Sequence, residues 1–282
     1  MTWTAYRIVL RLKSPLHVGQ LTIGNLQRTR PYVPGKTLWG ALTARLTRDD
    51  LNSNGDYQAM GERVNDELAF SYFYPALNDD GKEALYPDYT EKGLCYGPKG
   101  MSPDEFAWHL LSSYASTAVD ARRTAAKEGS LHETEFISPY DNEAGDPVYL
   151  VGYVFEQVGS VLPWKEALNC LQLGGERKYG WGRISLSGEP QQADGLFGYS
   201  FDLAGERPVI MVEAGKPLLA HTVAEGVSAR GQIEPLVGRE TRTEEEFGEF
   251  FQPQVQICWA PGSVTTRETL VAIGPYGIWE VS

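Results

Sequence analysis

The chain has 282 residues, of which 42% are apolar and 22% charged, and it carries a formal charge of −12. That is material for one large core or two modest ones, and it excludes a disordered chain. Arg7, Arg11 and Lys13 interrupt the most apolar run, MTWTAYRIVLRLKS, so the expectation is a cytoplasmic protein with no signal peptide and no membrane span.

Cys95, Cys170 and Cys258 are odd in number, far apart and never form a CxxC pair, which points to neither a disulfide framework nor a thiolate zinc site. The charge is unevenly spread. Residues 1–48 hold eight basic residues and no Asp or Glu, leaving −20 for the other 234. Such segregation can hold a polyanion on one part of an otherwise acidic body, although cations drawn at random to strand and helix surfaces would give the same count.

In chain order, residues 3–13 alternate apolar and polar from Tyr6 through Leu12, the period of a half-buried strand. The stretch 14–35 has three Gly, three Pro and no sustained period, and reads as a long loop of the functional kind. After Pro34-Gly35, Leu38, Leu42 and Leu46 mark an amphipathic helix. Residues 67–77 form an aromatic-rich strand, and 78–134 an insertion with a helical pattern from Pro103 to Tyr114. A strand over 148–155, a short helix over 164–173 and a strand over 179–186 complete the order βαβ, insertion, βαβ. That order predicts an α+β chain with a ferredoxin-like (RNA-recognition-type) domain over 1–190. Pro190 to Gly205 reads as a linker, and 205–282 as a smaller β-rich element.

Gly35-Lys36-Thr37 resembles the end of a P-loop, but the required earlier Gly is Arg30, which excludes that NTPase motif; a helix start beside Lys36 still favours a phosphate. His132-Glu133 begins like a zincin, yet HETEF lacks the second His, so no metal site is expected, and no cofactor motif is present. His109 and His221 are isolated, while His17 lies in the basic loop. Leu171 to Ile184 packs four glycines among Arg177, Lys178, Tyr179, Trp181 and Arg183, a pattern that lets backbone, cations and rings approach RNA, or else makes an ordinary tight turn. If 179–186 is a strand, Tyr179 and Trp181 share one side, facing inward, and Lys178 faces phosphate.

The stretches SPLHVG (14–19), YVPGKTLWGAL (32–42) and LGGERKYGWGRI (173–184) resemble, in order, the RAMP superfamily of CRISPR effector proteins. AVDARRTAAKEGSLHETEFI (118–137) is similar to a stretch of type III effector subunits. The resemblance implies a ferredoxin-like architecture and binding of CRISPR guide RNA beside other subunits of an effector complex. Carried onto this chain, it assigns RNA contact to His17, Gly19, Lys36 and Thr37, to the glycine stretch with Gly175, Arg177, Lys178, Gly180 and Arg183, and to the region of Asp120, Arg122, Arg123 and Thr124; Arg28 and Arg30 add the loop's own cations. Members that cut target RNA carry an Asp in the loop before the helix, and 14–34 here contains no acid. The expectation is therefore a noncatalytic guide-RNA-binding subunit. The alternatives are a metal-independent endoribonuclease that matures guide RNA with His17 as base, and a protein-only adaptor whose basic face docks an acidic partner.

Overall fold

The computed structural model describes residues 2–50, 55–120, 122–236 and 256–282, together with the backbone of a short ladder between 239–240 and 250–251. The chain is of mixed α+β class, with several sheets and few helices. In order it runs β1 (Trp3–Leu12), β2 (Gly19–Ile23), β3 (Leu26–Thr29), α1 (Gly35–Asp49), α2 (Tyr57–Glu67), β4 (Leu68–Phe70) and β5 (Tyr74–Ala76). A hairpin of β6 (Pro87–Thr90) and β7 (Gly93–Tyr96) follows, then α3 (Pro103–Leu110), β8 (Leu111–Ser116), β9 (Val119–Asp120), β10 (Ala125–Ala126) and β11 (His132–Ile137). Next come β12 (Tyr149–Gln157), α4 (Trp164–Ala167), β13 (Ile184–Leu186) and β14 (Gln191–Gln192). No helix among the described residues is long and apolar enough to cross a membrane.

The first sheet has the order β13-β1-β12-β4, with every neighbouring pair antiparallel; β14 continues along β1 and β5 along β12. On β1, Ile8, Leu10 and Leu12 face α1, whose buried Leu38, Leu42 and Leu46 stack at helical spacing. The opposite face of the same strand is also buried. Trp3, Ala5 and Val9, with Val151, Tyr153 and Phe155 of β12, pack under a second, mostly antiparallel sheet from the C-terminal third, which includes Val209–Val212, Thr269–Ile273 and Trp279–Val281.

This corrects the reading of 3–13 as half-buried. Arg7 and Arg11, the polar members of the alternation, are half-buried on the face that carries the second sheet rather than fully in water. The segment 190–205 is likewise no linker, because Gln191 and Gln192 pair with β1 and Phe201 and Asp202 join the second sheet.

Other elements depart from the sequence pattern for local reasons. The expected loop 14–35 contains the β2–β3 hairpin, which joins β11 and β8 in a sheet of order β2-β3-β11-β8. The helix begun by the Ser102–Glu105 capping box stops at Leu110, and the Ser-rich continuation pairs with β11 as β8. The strand expected over 67–77 breaks at 71–73, where Ser71 bonds across to Tyr153 and Phe73 turns to pair with Val33.

Because both sheets bury their facing sides in one core, Phe155→Ala on β12 and Trp279→Ala on the second sheet should each cost about 3–5 kcal/mol. Denaturant unfolding of either variant should stay a single transition. Two separate transitions would mean that the sheets fold as independent bodies.

Candidate nucleic-acid interface

At one end of the first sheet the 14–34 segment, the start of α1, the glycine stretch and the C-terminal third meet around a cavity of about 370 Å³. Gly19, Arg30, Lys36, Thr37 and Gly175 all line it. So do Tyr72, His221, Gln256 and Tyr276, which sequence reasoning did not assign. Their only sequence signal is the presence of isolated polar and aromatic residues among short strands, too weak to single them out.

The glycine stretch is a clamp before it is anything else. The Gly175 amide donates to the His17 carbonyl (2.8 Å), and the Gly182 amide to the Pro15 carbonyl (2.7 Å). Gly174 and Gly182 have φ of +72° and +75°, and a Cβ on them would lie 2.1 Å from the His17 oxygen and 1.9 Å from the Leu173 oxygen. No other residue fits there. The expected strand begins only at Ile184, since Arg177–Tyr179 form a single turn of 3-10 helix ended by Gly180. The assignment of Tyr179 and Trp181 to one inward side therefore fails. Tyr179 is 80% exposed beside exposed Arg177 and Lys178, whereas Trp181 packs edge-on against Phe136 at 5.0 Å.

His17 is buried, and its Nδ1 donates to the Glu135 carbonyl oxygen at 2.7 Å. The Glu135 carboxylate accepts from the Thr29 amide (2.9 Å) and pairs with Arg28 (3.4 Å). Lys36 stands with its ammonium 5.0 Å from the centre of the Tyr276 ring. Tyr276 adopts a left-handed φ of +62° and also meets Trp39 edge-on. Arg122 and Arg123 lie apart from the cavity, on the exposed β9–β10 turn, where Asp120 accepts from the Arg122 amide (2.9 Å) and lies 3.8 Å from Arg123.

Arg30 is mostly buried and donates to both carboxylate oxygens of Glu234, one of them at 3.1 Å, and to the Tyr32 hydroxyl at 3.2 Å. Glu234 accepts from His221 Nε2 at 3.0 Å, and the Tyr72 hydroxyl donates to His221 Nδ1 at 2.8 Å. Burial alone would raise the Glu234 carboxyl, but the bonds from His221 and Arg30 outweigh it and hold the group at about 2. Burial lowers His221 and keeps it neutral, and burial raises Tyr72, keeping the phenol a donor. The result is one connected network from Arg30 to Tyr72 beside the cavity, tying the 14–34 segment to the C-terminal third.

No family model matches the sequence, and no curated protein does either. Solved structures do share its fold. A chain of the Type III-B Cmr-beta bound to cognate target RNA and AMPPnP superposes with a TM-score of 0.56 at 12% identity, covering 93% of this chain and 86% of that one. A chain of Cmr-beta bound to cognate target RNA gives 0.55 at 13% identity over the same shares.

Neutral His221 and ionised Glu234 both hold fewer protons folded than unfolded, so their contributions to stability are present at neutral pH and are lost on acidification. The His221 contribution falls away below its ordinary value of 6.5, and that of Glu234 below 4.5 toward about 2. Urea unfolding at pH 7.5 and 5.5 should show lower stability at the acid value, and His221→Gln, which can still bond Tyr72 and Glu234, should shrink that difference. An unchanged difference would remove His221 from the acid response.

Proposed function

We propose that this chain is a noncatalytic RNA-binding subunit of a type III CRISPR effector ribonucleoprotein, of the RAMP superfamily, holding or capping guide RNA beside other subunits. The observation that carries this reading is convergence: three stretches that resemble the superfamily, the last of them some 130 residues beyond the first two, meet at the cavity lined by Gly19, Lys36, Thr37 and Gly175. The likeness in fold to chains of RNA-bound Cmr-beta supports it. We read the first sheet as a ferredoxin-like domain over 1–190, because its order, with β4 taken as the second strand, β12 as the third and β13 as the fourth, is that of the split βαβ fold. On this reading 78–134 is its insertion, and 205–282 supplies the second sheet.

RNA-recognition modules stack bases on the open face of such a sheet. Here Tyr153 and Phe155, on the corresponding face, are buried. RNA would therefore run over the loops at the end of the sheet, with phosphates at Lys36 and at the Arg177–Arg183 turn, and an exposed Tyr179 available for a base. Arg30 acts indirectly, by fixing the cavity wall through Glu234. His17, buried against a carbonyl, packs the glycine turn rather than attacking RNA.

Titrating labelled CRISPR-repeat RNA at several salt concentrations tests the reading. Arg28→Ala with Lys36→Ala should weaken binding and lower the log–log salt slope by about 0.7 for each lost phosphate contact. Salt-insensitive or absent binding would favour the protein adaptor, and cleavage abolished by His17→Ala would make the chain an endoribonuclease.

The glycine turn gives a second test. Tyr179→Ala should lose about 1–3 kcal/mol of RNA affinity without a change in melting temperature. Trp181→Ala should lower the melting temperature, and Lys178→Ala should weaken RNA binding alone. Gly180, with φ of +84° and open space around it, should respond to Val mainly through backbone strain. Full RNA affinity in Tyr179→Ala would remove the stacking role.

A further inference from the structure

A second cavity, of about 430 Å³, shares no residue with the first and is built around Arg7. The register of β1 sets Arg7 directly across from Tyr153 on the face covered by the second sheet, in a row with buried Ala5 and Val9. A charge at such a position is costly unless it is paired. Arg7 donates to the Asp80 carbonyl, but no carboxylate among the described residues lies within ion-pair distance of it. The Asp80 carboxylate is held instead by the Lys82 ammonium (3.1 Å) and amide (3.0 Å). Arg7 meets the Asp80 charge only at longer range, and beside its guanidinium there is open space.

The walls of that space are aromatic. Phe197, Tyr86 and Tyr153 line it, and Lys82 stands exposed among its lining residues. Phe197 sits in a left-handed conformation (φ +49°) in a two-residue turn closed by reciprocal backbone bonds between Leu196 and Tyr199, both 2.9 Å. Glycine is the usual residue there. The ring is retained because it wedges against Tyr153 (4.9 Å), Tyr74 (5.6 Å) and Tyr86 (5.9 Å), fixing the aromatic wall.

We propose that this cavity binds a nucleoside monophosphate unit, with the phosphate on Arg7 and the base against Tyr86 and Phe197. A guanidinium fork matches two phosphate oxygens, and aromatic rings take a base of any sequence. The size lies within the range of small-ligand pockets. Asp88 and Glu213 outnumber Lys216 in the adjoining cavity that shares Tyr86 and Phe197, which disfavours a longer phosphate chain. The unit is either a free nucleotide or one residue of an RNA strand.

Calorimetric titration of the full chain with AMP, adenosine, inorganic phosphate and a short oligo(U) tests this. AMP should bind at least about tenfold more tightly than adenosine or phosphate, and Arg7→Gln should lose about tenfold, the loss of one charge-assisted contact. The melting temperature of Arg7→Gln should hold or rise, because an unpaired cation has been removed, whereas a merely structural arginine would leave it lower. Lys82→Glu, at an exposed position, should weaken AMP several-fold whatever the fate of Arg7→Gln. Tighter oligo(U) binding, lost in Arg7→Gln, identifies a strand as the source; tighter AMP binding identifies a free nucleotide. Lys36→Ala should leave AMP binding unchanged while weakening RNA at the first cavity, so this inference and the guide-RNA reading fail separately. Phosphate binding as tightly as AMP, or AMP affinity unchanged in Arg7→Gln, would overturn the proposal.

Discussion

Burial of the first sheet on both faces is the constraint from which the rest of the structure follows. A sheet covered by helices on one side only would offer its other side as a binding platform. Here Trp3, Ala5, Val9, Val151 and Phe155 lie under the second sheet, and the platform is core. What remains open is the sheet's end, where loops converge, and one gap in the cover beside Arg7. Loops carried on a two-sided core are held by a scaffold that cannot slip, since a one-residue shift of β1 would exchange two apolar faces at once.

The Arg30–Glu234–His221–Tyr72 network is the polar counterpart of that core. A buried ion pair is weak evidence for stability, because desolvation consumes much of its Coulomb energy. Its geometric effect is firmer: Arg30 ends the β2–β3 hairpin, Glu234 and His221 belong to the C-terminal third, and Tyr72 sits in the break between β4 and β5. Three parts of the chain are fixed to one another by bonds whose directions are specified, which packing alone does not specify. Losing any one member would leave its immediate neighbour in the network short of a hydrogen bond.

Legibility in the sequence differed by element, and for physical reasons. Helix α1 was plain, because Leu38, Leu42 and Leu46 repeat at helical spacing after a Pro-Gly punctuation. The mixed α+β class could be read from strands rich in apolar and aromatic residues beside that helix. The two-sided burial of β1 could not, because Arg7 and Arg11 imitate a solvent face, and only the partner sheet shows that the face is covered. The 3-10 turn at 177–179 was hidden because Lys-Tyr-Gly-Trp-Gly satisfies a strand's alternation as well as a turn's glycine content. The contribution of Tyr276, His221 and Gln256 to the cavity was invisible, since they lie between 46 residues (His221 to Gly175) and 258 residues (Tyr276 to Val18) from the loops they join, and no local pattern encodes that distance. What could be read of the cavity was its N-terminal and glycine-rich half, where residue type and spacing are themselves the signal.

The charge segregation deserves a different interpretation once the chain is folded. Of the eight cations in 1–48, Arg28, Arg30 and Arg45 pair with Glu135, Glu234 and Asp49, all acids from beyond that segment. Arg7 and Arg11 are half-buried on the face that carries the second sheet. Folding thus cancels or hides much of the apparent +8. What it assembles instead is a smaller cluster: the Lys13 amide donates to the Arg183 carbonyl at 2.8 Å, so Lys13 joins the turn that carries Arg177, Lys178 and Arg183. All four side chains are exposed, and none has an ion-pair partner among the described residues. The clamp of the glycine turn on the 14–18 loop therefore has an electrostatic consequence as well as a steric one, since it brings cations about 170 residues apart into one solvent-facing group. A polyanion would feel that group and Lys36, while the net −12 of the whole body repels it elsewhere. Local field, rather than total charge, decides where a phosphate backbone can lie.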